Sequence, residues 1–244
     1  MAGNYYDSKR AASEYLLLHY GDPDPWRLTF PARCVKECLE VGRVPKRARA
    51  LDLGCAVGAS SFELARHCAE VVGIDASEQF IAIALELRER GARNFRYFEE
   101  GELTKPGRAV VPFKIDRARV TFEVGDATAV RDDLGKFDVV LMANLVDRVP
   151  SPRKLLAQLP ALINRGGQLI ITSPYTWMTE YTPRAEWLGG FERYGRKVRT
   201  FAALKALLSP HFKLSGRRDI PFVIREHARK YQLGIAEAST WLRR

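Results

Sequence analysis

Arg49-Ala50-Leu51-Asp52-Leu53-Gly54-Cys55-Ala56-Val57-Gly58 is the stretch whose reading decides the fold. Residues 48–53 form a short apolar run with strand character. A Gly-bracketed turn follows, and residues 59–68 then have helical character. Glycine lets a backbone turn tightly and lets a ligand approach closely, so such a turn is informative when it joins a strand to a helix.

Outward from this turn, strand and helix patterns alternate. Residues 70–74 read as a second strand. Residues 77–90 place Phe80, Ile81, Ile83, Ala84 and Leu87 at helical spacing, with Gly91 as the stop. Strands are expected at 119–124, 137–142 and 167–172, with a helix over 152–163. The run 137–142 is almost wholly apolar, as expected for a strand covered on both faces. Strands separated by helices imply an α/β, doubly wound, Rossmann-like sheet. Such sheets bind ligands outside the carboxyl ends of their strands, at the point where strand order reverses.

Two helices are expected before this core. The first covers 7–20, capped by Asp7 or Ser8 and stopped by Gly21 and Pro23. The second covers 31–41 and ends before Gly42. Two stretches interrupt the alternation. Residues 94–118 read as an inserted hairpin or flap. Residues 173–198 carry Tyr175, Trp177, Tyr181, Trp187, Phe191 and Tyr194, and read as a lid over a pocket. The expected organisation is one domain over 1–244: an N-terminal helical cap (1–47), a cofactor-binding core (48–175), and a lid with a C-terminal hairpin (176–244).

The chain has 244 residues, of which 46% are hydrophobic and 28% charged, which fits one globular α/β unit. No run approaches the ~18 apolar residues of a membrane helix. The first ten residues hold no apolar core of a signal peptide, so a cytoplasmic location without membrane partners is expected. Cys34, Cys38, Cys55 and Cys68 are too few for a disulfide scaffold, and no His cluster completes a zinc site, so no metal is expected. The net charge of +10 raises a nucleic-acid partner. The basic residues are scattered, however. In the insertion Arg96, Lys105, Arg108, Lys114, Arg117 and Arg119 are interleaved with Glu99, Glu100, Glu102 and Asp116. A small-molecule partner is the expectation.

Asp52 sharpens the reading of the turn. A dinucleotide would bring a pyrophosphate to the helix N-terminus, and a carboxylate on that approach would repel it. S-adenosylmethionine has no phosphate and carries an ammonium and a sulfonium, so the acid is tolerated or helpful. Asp75 at the end of the second strand is placed to accept from ribose hydroxyls, beside Ala76. Asp126 at the end of the third strand is placed to accept from an adenine amine, with the Ala127 amide donating to the ring. The alternative for each Asp is a helix cap. The cofactor set is Asp52, Leu53, Gly54, Cys55, Ala56, Gly58, Asp75, Ala76, Asp126, Ala127 and Asn144.

Asp52-Leu53-Gly54-Cys55-Ala56-Val57-Gly58, Gly73-Ile74-Asp75-Ala76-Ser77, Gly125-Asp126-Ala127 and Phe137-Asp138-Val139-Val140 resemble the successive motifs of class I S-adenosylmethionine-dependent methyltransferases. The resemblance covers about residues 48–175. It implies a seven-stranded sheet with an antiparallel last strand, for which 210–228 would supply the hairpin. Cys55 departs from the more frequent small residue.

The flanks resemble a narrower family, the mercaptohistidine N-methyltransferases. They are Tyr5-Tyr6-Asp7-Ser8-Lys9, Glu14 to Gly21, Ser173-Pro174-Tyr175-Thr176-Trp177, Trp187-Leu188-Gly189-Gly190-Phe191 and Arg225 to Tyr231. In many organisms that domain follows a sulfoxide synthase of ovothiol biosynthesis, of which this sequence holds no trace. The resemblance implies a stand-alone enzyme that methylates the imidazole of 5-thiohistidine, with a sulfoxide synthase or lyase of the pathway as partner. Other small-molecule N- or O-methyl transfer and RNA methylation are the alternatives. Methyl transfer from a sulfonium is an in-line displacement that needs positioning and shielding from water. Asn144, Asp147 and Tyr175 are the catalytic candidates, and Tyr6, Lys9, Tyr20, Arg33, Arg148 and Tyr181 are the substrate-binding candidates. For Arg148 a surface ion pair with Asp147 is the competing reading. His19 reads as exposed or capping.

Overall fold

The computed structural model describes residues 6, 8–21 and 29–244. The expected cap at Asp7, the stop at Pro23 and Tyr5 of the flanking motif lie outside the described residues. In chain order, α1 (Lys9–Tyr20) and α2 (Phe30–Cys38) lead into β1 (Arg49–Leu53), α3 (Ala59–Leu64), β2 (Glu70–Asp75) and α4 (Glu78–Arg90). Next come β3 (Ala92–Glu100), β4 (Leu103–Val110), β5 (Val120–Val124), β6 (Phe137–Ala143), α5 (Pro152–Leu162) and β7 (Ile163–Ser173). The chain closes with β8 (Phe191–Arg193), β9 (Arg196–Val198), α6 (Thr200–Leu208), β10 (Phe212–His227) and β11 (Lys230–Arg243).

Seven strands form one sheet in the order β10-β11-β7-β6-β1-β2-β5. The β1–β2, β1–β6, β2–β5 and β6–β7 pairs are parallel, and β11 runs antiparallel to both β7 and β10. This is the doubly wound sheet with a reversed last strand that the motifs imply. The order reverses at β1, so the ends of β1 and β6 diverge into a crevice. Alternate residues of the strands feed two cores. Ala50, Val71, Val139 and Leu141 pack beneath α1 to α4, and Leu51, Val72, Val140 and Met142 pack with α5 and α6.

Local signals set most ends. Ser8 caps α1 by accepting from the Ala11 amide, and the Gly21 amide closes it on the Leu17 carbonyl. Ser77 caps α4, and Gly91 ends it in the left-handed conformation. The second helix is shorter than the expected 31–41. Leu39 turns extended at φ −75° and ψ 121°, and a separate 3₁₀ turn covers Val41–Arg43.

Three expectations about irregular regions change. The insertion is the hairpin β3–β4 over 92–110, which begins directly after Gly91, and 111–118 only lead to β5. The C-terminal hairpin is not 210–228, which covers only its first strand. It continues through β11 to Arg243 and is pinned by the pairing of β11 with β7. The aromatic segment 173–198 packs mainly on itself and on α6. Trp177 is buried, donates to Thr200 Oγ1 at 2.9 Å, and stacks on Trp187 at 6.1 Å. Tyr194 is exposed. Arg184 lies over both Trp187 and Phe191.

A different wall stands over the crevice. α1 lies on the β3–β4 hairpin, where Ser13 Oγ donates to the Arg96 carbonyl at 2.8 Å. The far half of β10 reaches the same hairpin, with the Ala228 amide on the Glu99 carbonyl at 3.1 Å and Arg225 over the Tyr97 ring. Arg33 of α2 holds β10 through the Pro221 carbonyl at 2.9 Å. Among the described residues no helix is long and apolar enough to cross a membrane.

Candidate functional site

The turn after β1 is shaped by two glycines. Gly54 has φ +73°, and a Cβ there would stand 2.8 Å from Leu145 Cδ1. Gly58 has φ +87°, and its Cβ would stand 2.6 Å from the Phe122 ring. Both positions therefore exclude a side chain by conformation and by space. Ala56 between them also has positive φ, at +46°, a conformation that strains a residue with a Cβ. Its amide donates to Asp75 Oδ2 at 2.9 Å, which ties the turn to the end of β2.

Asp52 lies fully buried behind this turn. Ser60 and Ser61 of α3 both donate to its Oδ2, at 2.8 and 2.6 Å. Its Oδ1 is buried and has no hydrogen-bond partner. Burial pushes its pKa up to about 6, against the opposing pull of the two hydroxyls. An orphaned carboxylate oxygen in the interior is costly unless something positive arrives nearby. That fits a cofactor with an ammonium and a sulfonium, and it would oppose a pyrophosphate.

A cavity of about 260 Å³ opens in front of the turn. Gly54, Ala56 and Ser60 form its floor, with Asp75, Ala76, Gly125, Asp126 and Ala127 at the ends of β2 and β5. Asp75 Oδ1 also accepts from the Ser77 amide at 2.9 Å. The carboxylate of Asp126 caps Thr128, accepting from its amide at 2.7 Å, and so makes the local cap that the sequence left open. Leu53, Cys55 and Gly58 are not in the lining. Leu53 and Cys55 are core residues and Gly58 packs on Phe122, so these three shape the turn from behind.

The opposite side is built after β6. Asn144 lines the cavity with φ +53°, held by its amide on the Thr172 carbonyl at 2.9 Å and its Oδ1 on Thr172 Oγ1 at 3.1 Å. Asp147 is fully buried, and burial raises its pKa. It accepts from Ser173 Oγ at 2.7 Å and from Arg148 Nη1 at 3.0 Å. Arg148 lines the cavity, donates also to the Thr176 carbonyl at 2.6 Å, and lies over the Tyr181 ring. The ion pair is therefore real, but its acid is buried and it borders the cavity. Tyr6 bridges Tyr181 at 5.6 Å and Tyr15 at 6.0 Å, and burial raises its phenol well above the usual range.

Three substrate-binding candidates, Tyr20, Arg33 and Lys9, and one catalytic candidate, Tyr175, lie off the cavity. The Tyr20 hydroxyl donates to the Val57 carbonyl at 2.8 Å and braces the turn. Arg33 is occupied by Glu37 and Pro221. Lys9 is exposed on α1. Tyr175 sits at φ +54° with its hydroxyl on Glu237 Oε1 at 2.7 Å, beneath β11. Tyr181 reaches the site only through Tyr6 and Arg148.

The sequence reading missed the upper wall: Tyr15, Leu18 and His19 of α1, Phe30 of α2, and Phe222 and Ile224 of β10. These residues look like ordinary amphipathic positions, and only long-range packing brings them here. A second hollow, lined by Tyr97 and Arg225, opens on the other side of β10 and holds none of the strand-end acids. Among the described residues no three His, Cys, Asp or Glu side chains gather as metal ligands.

A family model described as a methyltransferase domain matches residues 26–209. The chain is similar to the ubiquinone biosynthesis O-methyltransferase of Coxiella burnetii, 27% identical over 63% of this chain and 54% of that protein. It is also similar to the ubiquinone biosynthesis O-methyltransferase of Aromatoleum aromaticum, 28% identical over 71% of this chain and 58% of that one. The chain thus spans little more than half the length of these curated relatives. Two solved structures share the fold. The [4+2]-cyclase SpnF superposes with a TM-score of 0.61 at 16% identity, over 98% of this chain and 94% of that one. Magnesium protoporphyrin IX methyltransferase from Synechocystis, with bound S-adenosylhomocysteine, superposes with a TM-score of 0.58 at 17% identity, over 98% and 97%.

Proposed function

This chain belongs to the methyltransferase-domain family, and from that premise we propose that it methylates a small acceptor of amino-acid type, with 5-thiohistidine the first candidate. The class is that of S-adenosylmethionine-dependent enzymes on the class I fold. The observation that carries the finer reading is the Asp147–Arg148 pair beside the cavity. An amino-acid acceptor asks for a positioned cation to meet its carboxylate, and Asp147 holds Arg148 in place for that. Tyr6, Tyr15 and Phe80 stand near as walls for a flat ring.

When bound, the cofactor supplies an electrophilic methyl on a sulfonium. Asp52 answers its positive charge from behind the turn, Asp75 accepts from its ribose, and Asp126 and Ala127 hold its adenine. Asn144, locked by Thr172, presents its amide nitrogen at the cavity between the two halves. Arg148, held in place by Asp147, meets the acceptor's carboxylate with the donors that Asp147 and Thr176 leave free. The aromatic wall keeps water from the transfer, so positioning supplies most of the rate and no strong base is required. An imidazole nitrogen attacks with its lone pair, and a neighbouring thiolate spreads the resulting positive charge.

The names of the curated relatives favour a wider reading, in which the acceptor is another small molecule and a hydroxyl oxygen takes the methyl. The flanks around Tyr6, Tyr15 and Arg225 are what support thiohistidine instead. Labelled cofactor, offered with 5-thiohistidine, histidine and a panel of phenols and catechols, separates the two by product mass. Methylated thiohistidine alone is the expected product. A methylated phenol with blank thiohistidine would replace the N-methyl reading with the O-methyl one.

A further inference from the structure

His19 has no assigned role, yet it lines the cavity from the last turn of α1. Its Nδ1 accepts the amide of Ala59, the first residue of α3, at 3.3 Å. This contact bridges 40 positions of sequence and fixes the tautomer, because an accepting Nδ1 leaves the proton on Nε2. No described residue accepts from that Nε2–H. Burial pushes the imidazole pKa down to about 3, so the ring is a neutral, oriented single donor.

The rest of the cavity shows what such a donor is for. Its ionisable lining is mostly acidic, with Asp75, Asp126 and Asp147, and Asp52 lies behind. Arg148 is the one cation among the described lining residues; its Nη1 is engaged by Asp147 and the Thr176 carbonyl, and the proposed function gives its remaining donors to the acceptor. On the floor, the Ala59 amide is taken by His19 and the Ser60 hydroxyl by Asp52. S-adenosylmethionine brings a carboxylate as well as an ammonium. The acids serve its ammonium and hydroxyls, and its carboxylate needs a donor on the α3 side.

We propose that His19 Nε2–H donates to the methionine carboxylate of the cofactor. A neutral donor suits this place, since a lysine or arginine would set a second positive charge beside the sulfonium. α1 thereby takes part in cofactor binding, although it precedes the whole cofactor core in sequence. The inference rests on the cofactor reading above.

The test compares S-adenosylhomocysteine with 5′-methylthioadenosine, which keeps the adenine and ribose but lacks the amino-acid end. Calorimetry is run on the full chain and on His19→Asn and His19→Gln. Asparagine keeps an acceptor for Ala59 near the Nδ1 position and loses the outer donor. Glutamine restores a donor near the Nε2 position. The expected result is a loss of about tenfold for S-adenosylhomocysteine in His19→Asn, as for one hydrogen bond to a charged group. Methylthioadenosine affinity stays unchanged, and His19→Gln recovers part of the loss. An equal loss for both ligands would make His19 a mere brace for α3 and overturn the proposal, as would no loss for either. If the unaltered protein bound neither ligand, the cofactor reading itself would fall, and this inference with it.

Discussion

The end of β1 and the loop after β6 each hold one fully buried aspartate, and the two are treated differently. Asp147 has a resident cation, since Arg148 lies 3.0 Å away. Asp52 has only two serine hydroxyls, both on the same oxygen, and its other oxygen faces no donor. Burial raises both acids, yet only Asp52 remains unneutralised by its own chain. The two sites spend their charge in different ways. The loop after β6 completes an ion pair within its own chain. The end of β1 keeps a buried carboxylate oxygen that the chain leaves unmet.

Removing the acid should therefore have opposite consequences in the two places. Asp147→Ala leaves the half-buried Arg148 with carbonyl acceptors but no counter-charge, and the Ser173 hydroxyl without its acceptor. A loss of about 3 kcal/mol in urea unfolding is expected, as for one half of a buried pair. A loss below about 1 kcal/mol would mean that the pair behaves like a surface contact and that the contrast with Asp52 is false. Asp52→Asn should not destabilise the protein free of cofactor at pH 8. Its folded pKa of about 6 lies above the ordinary 3.8, so ionisation of this group opposes folding as pH rises through that window. Asparagine removes that opposition while keeping an oxygen for Ser60 and Ser61. The smallest effect concerns the turn itself. Ala56→Gly frees the strained +46° position, and glycine's extra freedom in the unfolded chain offsets much of the gain. The net change should stay within about 1 kcal/mol by thermal unfolding. A large loss would show that the Ala56 methyl, which borders the cavity, is needed there.

The sheet was legible because its central strands are unbroken apolar runs separated by periodic helices. Asp52, Asp75 and Asp126 were legible as candidates because each sits at or near a strand end, and the structure places Asp75 and Asp126 at the cavity with Asp52 behind it. Beyond this the signal thinned for physical reasons. Trp177, Trp187 and Phe191 are equally good lid residues and core residues by composition. Only the hydrogen bond of Trp177 to Thr200 and the stacking on Trp187 show that they are packed inward. Tyr20 and His19 are adjacent on one helix. One braces the turn through Val57 and the other faces the cavity, a difference set by partners some 40 residues away. The extent of β10 and β11 was hidden because their outer halves pair only with each other and rest on α1 and β3. Nothing in 210–228 marks where such a hairpin turns.

The charge comparison is tested most directly by the pH dependence of S-adenosylhomocysteine binding to the unaltered protein and to Asp52→Asn. The ammonium of this ligand belongs to a free amino acid, more basic than a peptide terminus, and stays largely charged between pH 5 and pH 8, within which Asp52 titrates at about 6. The affinity of the unaltered protein should fall as pH drops through about 6, where Asp52 takes up its proton. Asp52→Asn should bind more weakly at pH 8 and show a flat profile. A pH-independent affinity in the unaltered protein, or undiminished binding by Asp52→Asn at pH 8, would contradict the charge comparison.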